Sequence, residues 1–395
     1  MTAKHRAVVA RLGEDFLAGA FGRTFRHVPG EAGMVADIFG WDDLNEILGR
    51  HRLEVPRLRL SADGVTVPQD AYAQSIVNRR ANVWQNLHPA AFHQQLADGA
   101  TLVIDALEEL HPPVHLLADD LQSWLRARIQ VNLYASWTGK EGFGTHWDDH
   151  DVVVVQLDGS KRWKLYGPTR IAPMHQDVAE PEAPPEEPTA EFVLTAGDLL
   201  YLPRGWWHSV SASEGERSLH LTCGLTSVTG ADLITWLSEI LRRDEAVRAD
   251  LPRFGTPEEK QQFADRLRDL LMNEFSDGAD LVDRFAAHRD ATERVRMRPS
   301  LPHVFGVPND PHVLVRLLST THDVASDESG NVVLTAGGET WTFASAARPV
   351  LDRLADRHPH TLKELVDGTG LSVEQAAALV WELVKGQVAA VGNLS

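Results

Sequence analysis

The 395-residue chain carries a single cysteine, Cys223. It can close no intrachain disulfide, and a cysteine-rich zinc site is excluded. No uninterrupted apolar run is long enough to span a bilayer. The opening stretch, MTAKHRAVVARLGEDFLAG, is broken by charges every few positions and lacks the apolar centre of a secretory leader. Positive charge is scarce as well: 38 Lys and Arg stand against 56 Asp and Glu, a formal net charge of −18. Such a field repels nucleic-acid phosphates and attracts basic proteins. The expectation is a soluble, cytoplasmic protein whose chemistry is carried by His, Asp, Lys and Asn.

What is present divides into regions. Residues 1 to about 130 mix short helices and strands: FGWDDLNEILGRH is expected to be helical, LRLSADGVTV a hairpin around Asp63-Gly64, and DGATLVIDALEEL a strand entering a helix. From about 128 to 228 strands dominate. RIQVNLYASW, HDVVVVQLDG, KRWKLYG, EFVLTAG, DLLYLP and RSLHLTCGLT are rich in β-branched and aromatic residues and separated by Gly, Pro or Asp turns. That spacing predicts an antiparallel sandwich or barrel. The Pro/Glu-rich APMHQDVAEPEAPPEEPTAE is expected to be an exposed insertion. Helical periodicity follows in ADLITWLSEILRRDEAVRADL and EEKQQFADRLRDLLMNEF, with a face free to pair with a second copy. Beyond about 310, NVVLTAGGETWTF predicts a hairpin, and TLKELVDGTGLSVEQAAALVWELVKGQVAAVG the helix, turn, helix and strand of a winged helix.

His-x-Asp occurs three times, at His146/Asp148, His175/Asp177 and His288/Asp290. The second lies in the insertion and the third in an amphipathic helix, where residues two apart diverge; solvent exposure is expected for both. The first pair would share a face if its segment were a strand. Downstream, in DLLYLPRGWWHSV, a strand ends at Pro203, Arg204-Gly205 turns the chain and His208 opens the next strand. Two imidazoles and one carboxylate make the facial triad of non-heme Fe(II) enzymes, which leaves positions open for cosubstrate and oxygen. A lone histidine beside Trp206 and Trp207 would sooner be packing than ligand; the pairing with His146 and Asp148 favours the metal. In SKRWKLYG, Lys161 alternates with Arg162 and shares its face with Trp163 and Leu165. A lysine on an inward, apolar face demands an anion.

The order VNLYASW, GTHWDDHDVVVVQLDGSKRWKLYGP, GDLLYLPRGWWHSV resembles the JmjC/cupin-fold 2-oxoglutarate oxygenases, and within them the ribosomal oxygenases, which hydroxylate side chains of ribosomal proteins. The resemblance implies an α+β chain: a double-stranded β-helix catalytic domain over 1–228, a helical dimerisation region over 229–305 and a winged-helix-like domain over 306–395. It implies His146, Asp148 and His208 as ligands of Fe(II). It implies Lys161 as partner of the distal carboxylate of 2-oxoglutarate, with Asn132 and Tyr134 lining the cosubstrate site and O2 as co-reactant. The implied product is a hydroxylated arginine or histidine of a basic ribosomal protein, and the implied assembly a homodimer.

His150 departs from the family, which more often has an aliphatic residue there; it is expected to back the ligands, to contact substrate, to add a fourth polar group at the barrel mouth or to face solvent, and Asp149 to point away in a structural or substrate-facing role. The helix SVEQAAALVWELVK carries Glu374 and Glu382 against only Lys385, so direct DNA binding is not expected. The rival readings are a hydroxylase of a peptide natural product or small molecule, a demethylase, and a non-catalytic cupin with a regulatory or protein-binding role.

Overall fold

The computed structural model describes residues 4–77, 79–139, 142–179, 183–212, 216–276 and 278–392. The chain divides into two compact units, Met1–Ser227 and Val228–Ser395. No helix among the described residues is long and apolar enough to cross a membrane.

Among the described residues, the first unit has twelve strands and five α-helices. The strands are β1 (Arg26–Val28), β2 (Leu58–Ala62), β3 (Val65–Thr66), β4 (Ala73–Val77), β5 (Val83–Leu87), β6 (Thr101–Ile104), β7 (Ile129–Ser136), β8 (Asp151–Pro168), β9 (Ala190–Thr195), β10 (Leu199–Leu202), β11 (Trp206–Ala212) and β12 (Ser218–Leu225). The helices are α1 (Lys4–Leu12), α2 (Phe16–Gly19), α3 (Trp41–Arg50), α4 (Pro89–Ala97) and α5 (Pro112–Leu125). The expected helix at FGWDDLNEILGRH is α3, and the hairpin at Asp63-Gly64 joins β2 to β3 with both turn residues at positive φ.

The large sheet runs β1-β10-β8-β12-β7-β6-β2-β3. HDVVVVQLDG and KRWKLYG, expected as two strands, are one. The first half of β8 pairs with β10 and β12; the second half, from Ser160, pairs with β9 and β11. Gly159 stands at the changeover with φ 64°, and a Cβ there would collide with the Arg217 carbonyl oxygen. β8 thus belongs to both walls of the barrel.

This explains the valine run. Val153 and Val155 face an outer core with Leu133, Leu221 and the buried stripe Val114, Leu117 and Leu121 of α5. Val152 and Val154 face an inner core with Trp163, Leu165, Leu194, Leu200 and Leu202. A strand covered on both faces loses the polar alternation of a half-exposed one. On β7 and β12, by contrast, the inward positions are polar: Asn132, Tyr134 and Ser136 on one, His220 and Thr222 on the other, while Leu133, Ala135, Leu221 and Cys223 join the outer core. The barrel interior is therefore apolar around β8 and β10 and polar along β7 and β12.

The second unit contains α6 (Gly230–Leu241), α7 (Glu245–Arg248), α8 (Pro257–Glu274) and α9 (Gly278–Thr292), then β13 (Leu314–Leu317), β14 (His322–Ser326), β15 (Val332–Ala336), β16 (Glu339–Phe343), α10 (Arg348–Leu354), β17 (His360–Thr361), α11 (Leu362–Val366), α12 (Val373–Lys385) and β18 (Ala389–Val391). The first expected helix breaks at Asp244, whose side chain accepts from the Ala246 N–H and caps α7. Two three-stranded sheets, β17-β13-β18 and β14-β15-β16, share a core with α10, α11 and α12. The hydroxyl of Thr321 donates to the Asp290 carbonyl and the Gly338 N–H to that of Ala291, joining α9 to this core.

Candidate active site

His146 does not lie on a strand. It sits in the loop before β8, joined to β11 by a single antiparallel bridge in which the His146 N–H donates to the His208 carbonyl (3.0 Å) and the His208 N–H donates back (2.8 Å). The Asp148 carbonyl accepts from the Gly205 N–H (2.9 Å). Strand alternation was therefore the wrong reason for expecting His146 and Asp148 to converge. The β10–β11 turn and the bridge hold the loop instead.

The result is a cluster in which one ligand atom from each of His146, Asp148 and His208 lies within 4.8 Å of the others. His146 Nε2 is 4.0 Å from one Asp148 oxygen and His208 Nε2 is 3.7 Å from the other. Each Nδ1 is engaged elsewhere: that of His146 meets the Gly144 carbonyl (3.1 Å) and that of His208 the Trp206 carbonyl (2.9 Å). A carbonyl only accepts, so both Nδ1 atoms carry the proton and both Nε2 lone pairs face Asp148. Burial, followed by repulsion from His146, lowers the His208 pKa to about 4, which keeps that ring neutral. Two imidazoles anchored at Nδ1, plus one carboxylate, fit a divalent metal and leave its remaining positions open.

Lys161 points inward as its alternation with Arg162 requires, and it is 4% exposed. Its Nζ donates to Ser136 Oγ (2.6 Å), and no ion pair with a carboxylate is formed among the described residues. Desolvation alone lowers its pKa to about 8. Beside it lies His220, fully enclosed, with Nδ1 buried and lacking a partner; burial and then Lys161 hold this ring well below its usual pKa. Tyr134 stacks on His220 (centroids 5.0 Å apart, planes 4°), and burial, reinforced by Asp148, raises its phenol pKa. Trp163 stacks on His208 (5.6 Å) and leaves a buried Nε1 unpartnered. An ammonium without a counter-ion and two unanswered ring nitrogens fit an anion at this end of the pocket.

Asn132 is used as a brace: its Oδ1 accepts from the Ala106 N–H (3.2 Å) and from Gln130 Nε2 (3.0 Å). Ser136 and His220 escaped the sequence analysis. Ser136 continues the alternation of Asn132 and Tyr134, a signal that could have found it. His220 is hidden in SLHLTC until its face is known. The other two His-x-Asp pairs are not part of the metal cluster. His175 is 90% exposed, although its Nδ1 bonds Asp149 (3.0 Å), and His288 packs on Trp236 (5.7 Å). A separate cavity of about 1050 Å³, lined by Trp41, Arg52, Phe92 and His93 among others, includes none of the cluster residues.

Residues 109–233, which span β7 to β12, match the JmjC domain family. Over 149 residues the chain is 33% identical to Ribosomal oxygenase 2 of Mus musculus, covering 35% of this chain and 31% of that protein. Over 114 residues it is 40% identical to the Bifunctional lysine-specific demethylase and histidyl-hydroxylase NO66 of Aedes aegypti, covering 28% and 18%. The chain thus spans about a third or less of the length of these curated relatives. The fold is similar to that of YcfD, a ribosomal oxygenase from Escherichia coli solved with cobalt and 2-oxoglutarate, at a TM-score of 0.59 and 19% identity over 96% of this chain and 98% of that one. Residues 109–233 are thus a JmjC domain, in a chain that is similar to proteins named ribosomal oxygenases.

Proposed function

We propose that the protein is an Fe(II)- and 2-oxoglutarate-dependent oxygenase that hydroxylates an arginine or histidine side chain of a ribosomal protein in the cytoplasm. The observation that carries this is one barrel holding both an open-sided His146/Asp148/His208 cluster and the counter-ion-free ammonium of Lys161. His146, Asp148 and His208 would hold the iron. Lys161, Ser136 and His220 would seat the remote carboxylate of 2-oxoglutarate, with Tyr134 as a wall and Asn132 bracing it. When bound, iron and 2-oxoglutarate use O2 to replace a substrate C–H by C–OH, releasing succinate and CO2.

The chain's own residues have narrower tasks. The Gly144 and Trp206 carbonyls fix the imidazole orientations, so the ligand set needs little reorganisation. Val152, Val154, Trp163, Leu165 and Leu200 keep water from the interior. The net charge of −18 favours a basic protein as substrate.

Region 229–305 we assign to homodimerisation, supported by apolar residues that its helices leave exposed: Ile234 at 62%, Met272 at 61% and Val282 at 56%. Region 306–395 we take as a winged-helix-like packing or interaction domain. Lys385, the one cation of α12, is already paired with Glu382 (2.7 Å), which speaks against phosphate binding through this helix.

The test is succinate formation from 2-oxoglutarate under air with Fe(II), with total ribosomal protein as substrate. Turnover in the wild type, lost in His146→Ala, with a gain of one oxygen on a ribosomal protein, is expected. Loss of methyl groups instead would make it a demethylase. Absence of Fe(II)-dependent 2-oxoglutarate binding would refute the oxygenase altogether.

A further inference from the structure

The two ends of the barrel differ. Ser218 pairs with Ser136 at the end where Lys161 is buried, whereas Gly224 pairs with Gln130 and Val152 near the other end of the same strands. Gly224 follows Thr222 on the inward face of β12, and the space above it is filled by His150. A Cβ at position 224 would lie 2.9 Å from His150 Cδ2 and 3.0 Å from Nε2. The His150 side chain is 39% exposed, so it forms part of the rim. It follows Asp148 by two residues, which places it beside the metal cluster.

The ring is held. His150 Nδ1 lies 3.0 Å from one oxygen of Asp149, and His175 Nδ1 lies 3.0 Å from the other. Asp149 therefore does not simply point away; it ties the rim histidine to the segment after β8. A carboxylate accepts, so the proton of the neutral His150 ring sits on Nδ1 and Nε2 is left as an acceptor. A fixed acceptor next to the reacting centre selects what approaches it.

We infer that His150 contacts the substrate and determines specificity, its Nε2 accepting a hydrogen bond from a side chain that bears an N–H donor, a guanidinium or an imidazole. The inference rests on the oxygenase reading above. Asp149 and His175 are positioning residues behind it. A norleucine-like side chain offers nothing to this acceptor, and neither does a quaternary ammonium, which has no N–H. Leaving the acceptor buried against such a group loses a hydrogen bond, worth about fivefold in affinity.

The test uses the full chain with Mn(II) and 2-oxoglutarate, and as probes two short peptides, Ac-Gly-Arg-Gly-NH2 and its norleucine analogue. Paramagnetic relaxation of the peptide side-chain protons by the bound Mn(II) reads occupancy of the mouth without turnover. In the wild type the arginine peptide should be relaxed about fivefold more strongly than the norleucine peptide. His150→Leu should erase that preference, and Gly224→Ala, which drives the ring from its seat, should do the same. His150→Gln, whose amide oxygen accepts, should restore part of it. Equal relaxation of both peptides in the wild type, or a preference that survives in His150→Leu, overturns the inference and leaves the oxygenase reading standing. A wild type that takes up Mn(II) but no 2-oxoglutarate overturns that reading, and this inference with it.

Discussion

Lys161 allows function and stability to be pulled apart. Its ammonium is enclosed with one hydroxyl for company, and burial takes its pKa from 10.5 to about 8. That fall corresponds to about 3 kcal/mol carried by the charged form in the unliganded protein. Replacing it with methionine removes the buried charge and keeps most of the volume. The hydrogen bond to Ser136 is lost as well, at about 1 kcal/mol. At pH 7 the unliganded Lys161→Met protein should therefore be more stable than the wild type, by up to about 2 kcal/mol. Its 2-oxoglutarate affinity should move the other way. Truncating one partner of a buried charge pair costs about 2–5 kcal/mol, so Kd should rise by roughly 30-fold or more. Calorimetric unfolding without ligand and titration of 2-oxoglutarate with Mn(II) give the two numbers on the same samples. A Lys161→Met protein that melts below the wild type, or binds 2-oxoglutarate within about threefold of it, would falsify the assignment of this lysine as a pre-paid anion site.

The same lysine gives a pH dependence. Unliganded Lys161 is protonated below about 8 and neutral above it, while an unfolded chain keeps its proton to 10.5. Unliganded stability should then increase as pH rises from about 8 towards 10.5, because the unfolded state binds more protons there. Affinity for 2-oxoglutarate should instead weaken above about 8, and Lys161→Met should flatten both profiles. His146→Ala and Asp148→Ala should weaken Mn(II) binding, followed by its electron paramagnetic resonance signal, by more than the roughly 10–100-fold typical of outer-sphere changes; parity with wild type would remove them from the ligand set. Gly159→Ala should lower unfolding free energy by at least about 1 kcal/mol from the left-handed backbone alone, more with the collision at Arg217, and an unchanged midpoint in urea would contradict the role given to Gly159 at the changeover in β8. Charged replacements at Ile234 and Met272 should halve the mass measured by light scattering if those faces pair copies; a mass that does not change would place any dimer contact elsewhere.

How legible this was depends on which interaction decides each feature. Lys161 was readable because Trp163 and Leu165 share its side of a period-two pattern, and burial follows the pattern. His208 was readable from the strand end at Pro203 and the turn at Arg204-Gly205, both local signals. Gly159 misled because Asp158-Gly159 has the chemistry of a turn, whereas the long-range partners, β12 before it and β9 and β11 after it, carry the strand through. His146 and Asp148 converge through a two-bond bridge to β11, a contact across 62 positions that no local pattern encodes. His220 shows the same limit from the other side: among leucines it is one more strand residue, and only the sheet order tells that its face looks onto Lys161.

The continuity of β8 has a geometric consequence. Lys161 stands level with Ala212, and Leu165 level with His208, on the same two hydrogen-bonded strands. Four residues of paired strand, about 13 Å at some 3.3 Å each, thus separate the backbone of the anion end from that of the metal end. Lys161 and His208 both ride on these paired strands, and the loop that carries His146 and Asp148 is tied to β11 by the His146–His208 bridge. With iron and 2-oxoglutarate seated as proposed, the pocket is a gauge block whose length is set by backbone register, and diacids one carbon shorter or longer should bind more weakly. A slip of one residue would turn Lys161 out to solvent and bring Arg162 in.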